Sequence, residues 1–264
     1  MVSIKQNGQL LARNPEIDKK EKELANVRRH HFTARSSQTK EKYRERDKQL
    51  RQEIQELLKE SGLPNDTAEK LAQWDPYNQN TVAHFFNSEW MFGIHDGFDI
   101  VIGNPPYVRQ EQIKEMKPIL KEQYTCFTGI ADIYVYFYER GFQLLKVKGI
   151  LAYVSSNKYF RAGYGEKLRG FLSQNTTLLQ IIDFGDTPIF TAIAYPSILL
   201  LKKGPSQNQH AQTLTWKFGS TIEEFPTIFQ KHSFHASNSN FYIYKPFHRE
   251  FIQGKGVFLK SSAV

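Results

Sequence analysis

The stretch Phe98-Asp99-Ile100-Val101-Ile102-Gly103 decides the fold class: it is short, rich in β-branched residues and ends in a glycine. Such a run reads as a strand buried on both faces. Three more like it follow, Ile150-Leu151-Ala152-Tyr153-Val154-Ser155, Leu178 to Phe184, and Ser197-Ile198-Leu199-Leu200-Leu201. Between them, Asp132 to Lys146 and Gly165 to Asn175 place apolar residues three and four apart, the period of a helix with one buried face. Strand, helix, strand, helix, strand predicts an α/β sheet. After Lys203 the pattern weakens. Gly204 to Gln212 reads as a polar linker, and Thr213 to Val264 mixes aromatic and polar residues without a clean period.

Toward the amino terminus the texture is different. Met1 to Gly62 carries 15 Lys and Arg against 10 Asp and Glu, most of the excess in a chain whose formal net charge is +8. Its apolar residues are sparse and widely spaced, Ile17, Leu24, Val27 and His31 in one stretch, Tyr43, Leu50, Ile54 and Leu57 in another. Two narrow-striped helices follow, joined at Ser36-Ser37-Gln38 with Thr39 as the expected N-cap, which makes a helical hairpin. Arg28, Arg29, Arg35, Lys40, Lys42, Arg44 and Arg46 gather near its tip. They are either the solvated face of a coiled-coil arm or contacts to phosphate. The expected organisation is a basic hairpin over 1–62, an α/β body over 63–203, and a linker with the start of another region over 204–264.

Composition removes several classes. Of 264 residues, 40% are hydrophobic and 14% aromatic, too apolar for a chain that stays disordered. No apolar run approaches the roughly 18 residues of a membrane span, and the first residues lack the apolar centre of a secretory signal, so the cytoplasm is the expected address. The lone Cys126 excludes an intrachain disulfide and a cysteine metal cluster. A basic balance favours a polyanionic partner.

Gly103-Asn104-Pro105-Pro106-Tyr107 sits directly after the first strand, and in open α/β sheets the loops beyond the carboxyl ends of strands form the binding crevice. Two prolines stiffen this loop and aim its carbonyls. Asp99 to Tyr107 resembles the catalytic motif of S-adenosylmethionine-dependent amino methyltransferases, above all the adenine-specific DNA methyltransferases of type IIG restriction-modification enzymes, the Asn-Pro-Pro-Tyr class. Ala131-Asp132-Ile133-Tyr134-Val135-Tyr136-Phe137, Gly149 to Val154, Asp183-Phe184-Gly185 and Ile189-Phe190 are similar to that family's following segments, in order. Trp74-Asp75-Pro76-Tyr77-Asn78-Gln79-Asn80 and the basic hairpin are similar to the type IIG enzymes as well.

The resemblance implies a partial Rossmann-like methyltransferase sheet with an added amino-terminal hairpin, S-adenosylmethionine as cofactor and double-stranded DNA as partner. It implies that the Asn104 side-chain oxygen and the Pro105 carbonyl accept the two hydrogens of an adenine amine, and that Tyr107 and Phe190 hold the flipped base. Pro106 and Phe137 would contact the cofactor's adenine ring, with Asp132 a cofactor neighbour and His84 standing where the family has an acid. The family's glycine-rich loop and second-strand acid do not appear before Asn104. The chain is therefore expected to be the carboxyl-side part of a catalytic domain, with the Phe98 to Gly103 strand leaving an edge for a missing amino-terminal half or a partner chain. Two other readings stay open: a non-catalytic DNA-binding remnant or split subunit, and an amino methyltransferase acting on protein or RNA.

Overall fold

The computed structural model describes residues 5–6, 9–10, 14–78, 80, 83, 85–185, 187, 189, 195–205, 210–216 and 221–237. These fall into two compact units, which divide between Asp96 and Gly97.

The first unit opens with a two-residue antiparallel pair, β1 (Lys5–Gln6) and β2 (Gln9–Leu10). Its body is the helical hairpin, α1 (Pro15–Thr33) and α2 (Ser37–Glu60), with α3 (Asn65–Gln73) and the short α4 (Ser88–Phe92). The Asn14 side chain accepts the Glu16 N–H at 3.0 Å, Pro15 occupies the first turn, and Glu16 and Asp18 oppose the positive end of the helix dipole. The N-cap of α2 is Ser36 rather than Thr39: its hydroxyl accepts the Thr39 N–H at 3.1 Å, because a cap must precede the first helical residue. Ile17, Leu24 and Val27 meet Leu50, Ile54 and Leu58, and Ala68, Leu71, Trp90 and Met91 close the cluster. Leu58, not Leu57, is the fully buried residue of that last turn.

Inside the same unit lies a charged group. Asp47 is completely buried and accepts from Arg28 Nε at 2.8 Å and from Arg51 Nε at 2.7 Å. Arg28 also donates to the Trp90 carbonyl and stacks 5.1 Å from the Trp74 ring; Arg51 donates to the Ala72 carbonyl. Burial lowers the Arg28 pKa, with Asp47 pulling it back. Arg28 is thus an internal residue and not a contact at the hairpin tip. Arg46 is likewise engaged, by Glu23 at 2.6 Å and Glu53 at 3.4 Å. A cavity of about 680 Å³ in this unit is lined by Arg28, Phe32, Trp74, Trp90 and Phe92 among others.

The second unit is a mixed six-stranded sheet. Its strands are β3 (Phe98–Gly103), β4 (Leu145–Ser156), β5 (Thr176–Asp183), β6 (Pro196–Lys203), β7 (His210–Thr215) and β8 (Phe234–Ser237), in the order β3-β4-β6-β5-β7-β8. β3 runs parallel to β4, β6 lies antiparallel between β4 and β5, β7 is parallel to β5, and β8 is antiparallel to β7. The four strands expected from sequence lie side by side. β7 begins inside the stretch expected to be a polar linker, at His210, and runs into the stretch read as having no clean period, which also supplies β8; both extend the same sheet.

α5 (Lys117–Gln123) precedes α6 (Tyr134–Leu144), and α7 (Glu166–Asn175) follows β4. Tyr134, Val135 and Tyr138 of α6 and Leu168 and Leu172 of α7 share one core with Leu151, Tyr153, Leu178, Leu199 and Leu201 of the sheet. α6 comes close at Gly141, where an added Cβ would meet Leu151 Cδ1 at 2.5 Å and the Tyr153 hydroxyl at 2.6 Å. On the other face α8 (Phe225–His232) brings Phe225 and Phe229 against Ile182, Leu214 and Trp216.

β3 corrects the expectation of a strand buried on both faces. Among the described residues its sole sheet neighbour is β4. Val101 packs into the core, whereas Ile100 is 63% and Ile102 80% exposed. Its composition is that of a covered strand, and what it lacks is a cover.

Candidate active site

β3 delivers its chain to the carboxyl end of the sheet at Gly103, which pairs with Tyr153 of β4. An added Cβ at Gly103 would sit 3.2 Å from the Tyr153 ring, so the loop leaves the sheet tight against that side chain. The next residues alternate in exposure. Asn104 and Pro106 are exposed and Pro105 is buried, so one proline anchors the loop while the carboxamide beside it stays open. Tyr107 is 37% exposed, and its hydroxyl lies 3.5 Å from the Val154 carbonyl of β4, the far limit of a hydrogen bond. Partial burial raises its phenol pKa and keeps the ring neutral.

The exit from the loop is fastened to the start of α6. Ile133 N–H donates to the Val108 carbonyl at 3.1 Å, and Gln110 N–H donates to Asp132 Oδ1 at 3.1 Å. Lys117 Nζ adds bonds to Gln110 Oε1 at 2.7 Å and to the Gly129 carbonyl at 2.8 Å. Asp132 therefore holds the backbone of the loop's exit. Phe137 lies one helical turn beyond Ile133 and is 38% exposed, although Tyr136 and Tyr138 on either side are buried.

Beneath Tyr107 the end of β4 rests on hydroxyl groups. Tyr138 meets Ser155 Oγ at 2.8 Å and the Tyr159 hydroxyl at 3.4 Å, and Ser197 donates to the Ser155 carbonyl at 3.2 Å. Burial pushes the Tyr138 phenol up to about 12. Next to this network, Asp183 is buried and accepts from Asn157 Nδ2 at 2.7 Å and Gly185 N–H at 3.0 Å. Asn157 N–H in turn donates to the carbonyl of Tyr195, a residue with φ 65°. Sequence reasoning gave no role to Ser155, Ser156 or Asn157. The signal for them was available, a polar triplet closing an otherwise apolar strand.

The structure thus brings Asn104, Pro105, Pro106 and Tyr107 together in one loop and ties its exit to Asp132 on the segment that leads to Phe137. His84 and Phe190 lie outside the described residues. Asp99 stands toward the opposite end of β3, exposed and ion-paired with Lys146, which holds its carboxyl below the usual range. Among the described residues no group of three His, Cys, Asp or Glu side chains is placed to hold a metal. No helix of the described residues is long and apolar enough to cross a membrane.

Comparison with known proteins gives the arrangement a family. Over 155 residues the chain is 32% identical to the type II methyltransferase M.BstVI of Geobacillus stearothermophilus, covering 56% of this chain and 28% of that protein. It is 35% identical over 116 residues to the type II restriction enzyme and methyltransferase RM.Eco57I of Escherichia coli, covering 42% of this chain and 12% of the relative. With M.PaeR7I of Pseudomonas aeruginosa, another type II methyltransferase, it shares 33% identity over 154 residues, 56% of this chain and 25% of the relative. The chain thus spans only a minor part of the length of these relatives. Residues 6–190, well over half of the chain and including the whole Asn104 to Tyr107 loop, match the family described as Eco57I restriction-modification methylase, and the chain belongs to that family.

Proposed function

We propose that this chain carries the base-binding part of a DNA adenine-N6 methyltransferase of a restriction-modification system. The observation that carries the reading is the Asn104 to Tyr107 loop: an open carboxamide beside a buried proline, at the carboxyl end of a strand, in a chain of this methylase family. An exocyclic adenine amine is a weak nucleophile because its lone pair is drawn into the ring. Two acceptors, Asn104 Oδ1 and the Pro105 carbonyl, would accept hydrogen bonds from its two N–H groups and localise that pair on nitrogen. As the amine takes a methyl from a sulfonium, the carbon–sulfur pair stays on sulfur as a neutral thioether, and the methylated amine gives up one proton to water. Positioning and preorganised dipoles then supply most of the rate, and no strong base is required. The part-open ring of Tyr107 would stack on the base after it leaves the duplex, offsetting part of the few kcal/mol that flipping costs.

S-adenosylmethionine would supply the methyl group on a positively charged sulfur. The open apolar surfaces of Pro106 and Phe137 suit the flat adenine end of that cofactor. The sequence before Asn104 has no glycine-rich strand loop to receive its methionine end. The residues present therefore fit one end of the cofactor only. The bare margin of β3, with Ile100 and Ile102 exposed, supports a second element of the reading: another segment or chain adds a strand there and completes the cofactor site.

Calorimetric titration with S-adenosylmethionine, with and without adenine-containing duplex, followed by transfer of labelled methyl to DNA, protein or RNA, tests this. Once the segment or chain that completes the cofactor site is supplied, label is expected on adenine N6 of DNA, falling by about 100-fold or more in Asn104→Ala. Label entering protein or RNA instead would overturn the substrate. DNA affinity without cofactor binding would favour a split subunit that needs its partner.

A further inference from the structure

We propose that the exposed tip of the α1–α2 hairpin is a docking surface for the phosphate backbone of double-stranded DNA, separate from the loop that would take the base. The inference rests on the DNA reading above and assigns a second contact to it. Between Arg28 and Lys48 the sequence holds eight basic and three acidic residues. The structure sorts them. Arg28 and Asp47 neutralise one another inside the unit, and Arg46 is engaged by Glu23 and Glu53. Arg29, Arg35, Lys42, Arg44 and Lys48 are left exposed, with Lys40 half-exposed; Glu41, Glu45 and Asp75 stand near Arg44 and Lys48 and oppose part of that charge.

Geometry turns part of this excess into a stripe. Lys40, Arg44 and Lys48 recur every four residues on α2, so they share one side of the helix along about 12 Å. The same length of duplex carries about seven phosphate charges, at one per about 1.7 Å. Arg44 is the most constrained member: its guanidinium lies 5.5 Å from the Tyr77 ring, donates to His31 Nε2 at 3.2 Å and touches Glu41 at 3.7 Å. Among the described residues Arg29, Arg35, Lys40, Lys42 and Lys48 have no carboxylate within ion-pair distance. The first turn of α2 contains no acidic residue, so nothing there offsets the positive end of a 24-residue helix dipole. Burial above all, and then Arg44 and Lys40, lowers the His31 pKa, against Asp47 and Glu41, which raise it. A solvated arm needs only solubility, which balanced charge provides; an excess of exposed cations, most of them without a carboxylate partner, fits a polyanion.

The test is fluorescence anisotropy of a labelled 30-base-pair duplex titrated with the full chain across a range of salt. The variant Arg35→Gln/Lys40→Gln/Lys42→Gln/Lys48→Gln is compared with Lys114→Gln/Lys121→Gln/Lys148→Gln/Lys231→Gln, an equal charge change on exposed lysines of the other unit. The slope of log K against log salt should shrink by about three to four in the tip variant, with at least about tenfold weaker binding at low salt, and by less than about one in the control. Circular dichroism and a thermal melt check that both variants fold. An unchanged slope in the tip variant, an equal loss in the control, or tighter binding of single-stranded RNA of the same length would overturn the proposal. Asn104→Ala is expected to keep the wild-type slope, so a failure of the base-binding reading and a failure of this one give different results.

Discussion

The two units bury charge in different company. The hairpin unit takes a carboxylate and two guanidiniums into its interior, Asp47 between Arg28 and Arg51, and leaves its tip strongly basic. The sheet unit fills its interior mainly with aliphatic and phenolic side chains, holds its buried carboxylates on backbone and amide groups, Glu139 on the Thr125 and Cys126 N–H groups and Asp183 on Asn157 and Gly185, and leaves two isoleucines of β3 in water. The contrast separates two kinds of vulnerability. In the hairpin unit much of the internal order converges on one residue; in the sheet unit it is spread over many contacts, and the weak place is an edge.

Removing Asp47 is the harshest way to break this comparison. Asp47→Ala strands two buried cations and should cost about 3–5 kcal/mol, read as lost hydrogen-exchange protection in α1, α2 and α3 with the sheet unchanged. Equal loss in both units would show that they do not unfold separately. Gly141→Ala attacks the sheet unit at a close helix contact. The new methyl collides with Leu151 and Tyr153, and about 1–3 kcal/mol of overpacking should exceed the gain of up to about 1 kcal/mol in helix propensity, visible in a denaturant melt.

The response to pH should sharpen the contrast, because the groups concerned shift in opposite senses. Tyr138 titrates near 12 when folded and near 10 when unfolded, so its contribution to the sheet unit is complete below pH 10 and is lost as the pH rises toward 12. His31 in the hairpin unit is held below its ordinary 6.5, so its contribution is present above that value and is lost as the pH falls through the lowered one. Hydrogen exchange by unit should show the hairpin loosening first in acid, and both units loosening in alkali, because burial raises the Tyr77 phenol of the hairpin unit as well. The smallest effect belongs to the open margin. Ile100→Thr with Ile102→Thr should change stability by no more than about 0.5 kcal/mol, since both side chains are already in water. A loss above about 1 kcal/mol in a thermal melt would mean that this face is covered in solution.

Much of the fold and the centre of the site were legible in the sequence, and the limits have physical causes. The β-branched run ending at Gly103 and the two prolines after it announce a strand and a stiff loop through local chemistry alone. The exposure of Ile100 was not legible, because burial depends on a neighbouring strand and not on the residue. Charge hid the interior of the hairpin: Arg28 and Asp47 stand 19 residues apart, and neither looks internal until the other is in place. The bond from Gln110 to Asp132 spans 22 residues and gives no periodic signal, which is why the part Asp132 plays in fastening the loop was not legible. β7 escaped notice because its six residues include only two aliphatic ones, Ala211 and Leu214, and they do not alternate.

Arg28 lies 5.1 Å from the Trp74 ring and 5.9 Å from that of Trp90, while the third tryptophan, Trp216, belongs to the sheet unit. The indole pair makes a built-in optical gauge of the internal charge cluster. A change in emission that persists when Trp216 is replaced by phenylalanine can be attributed to the hairpin unit, and unfolding there can be followed without attaching a dye.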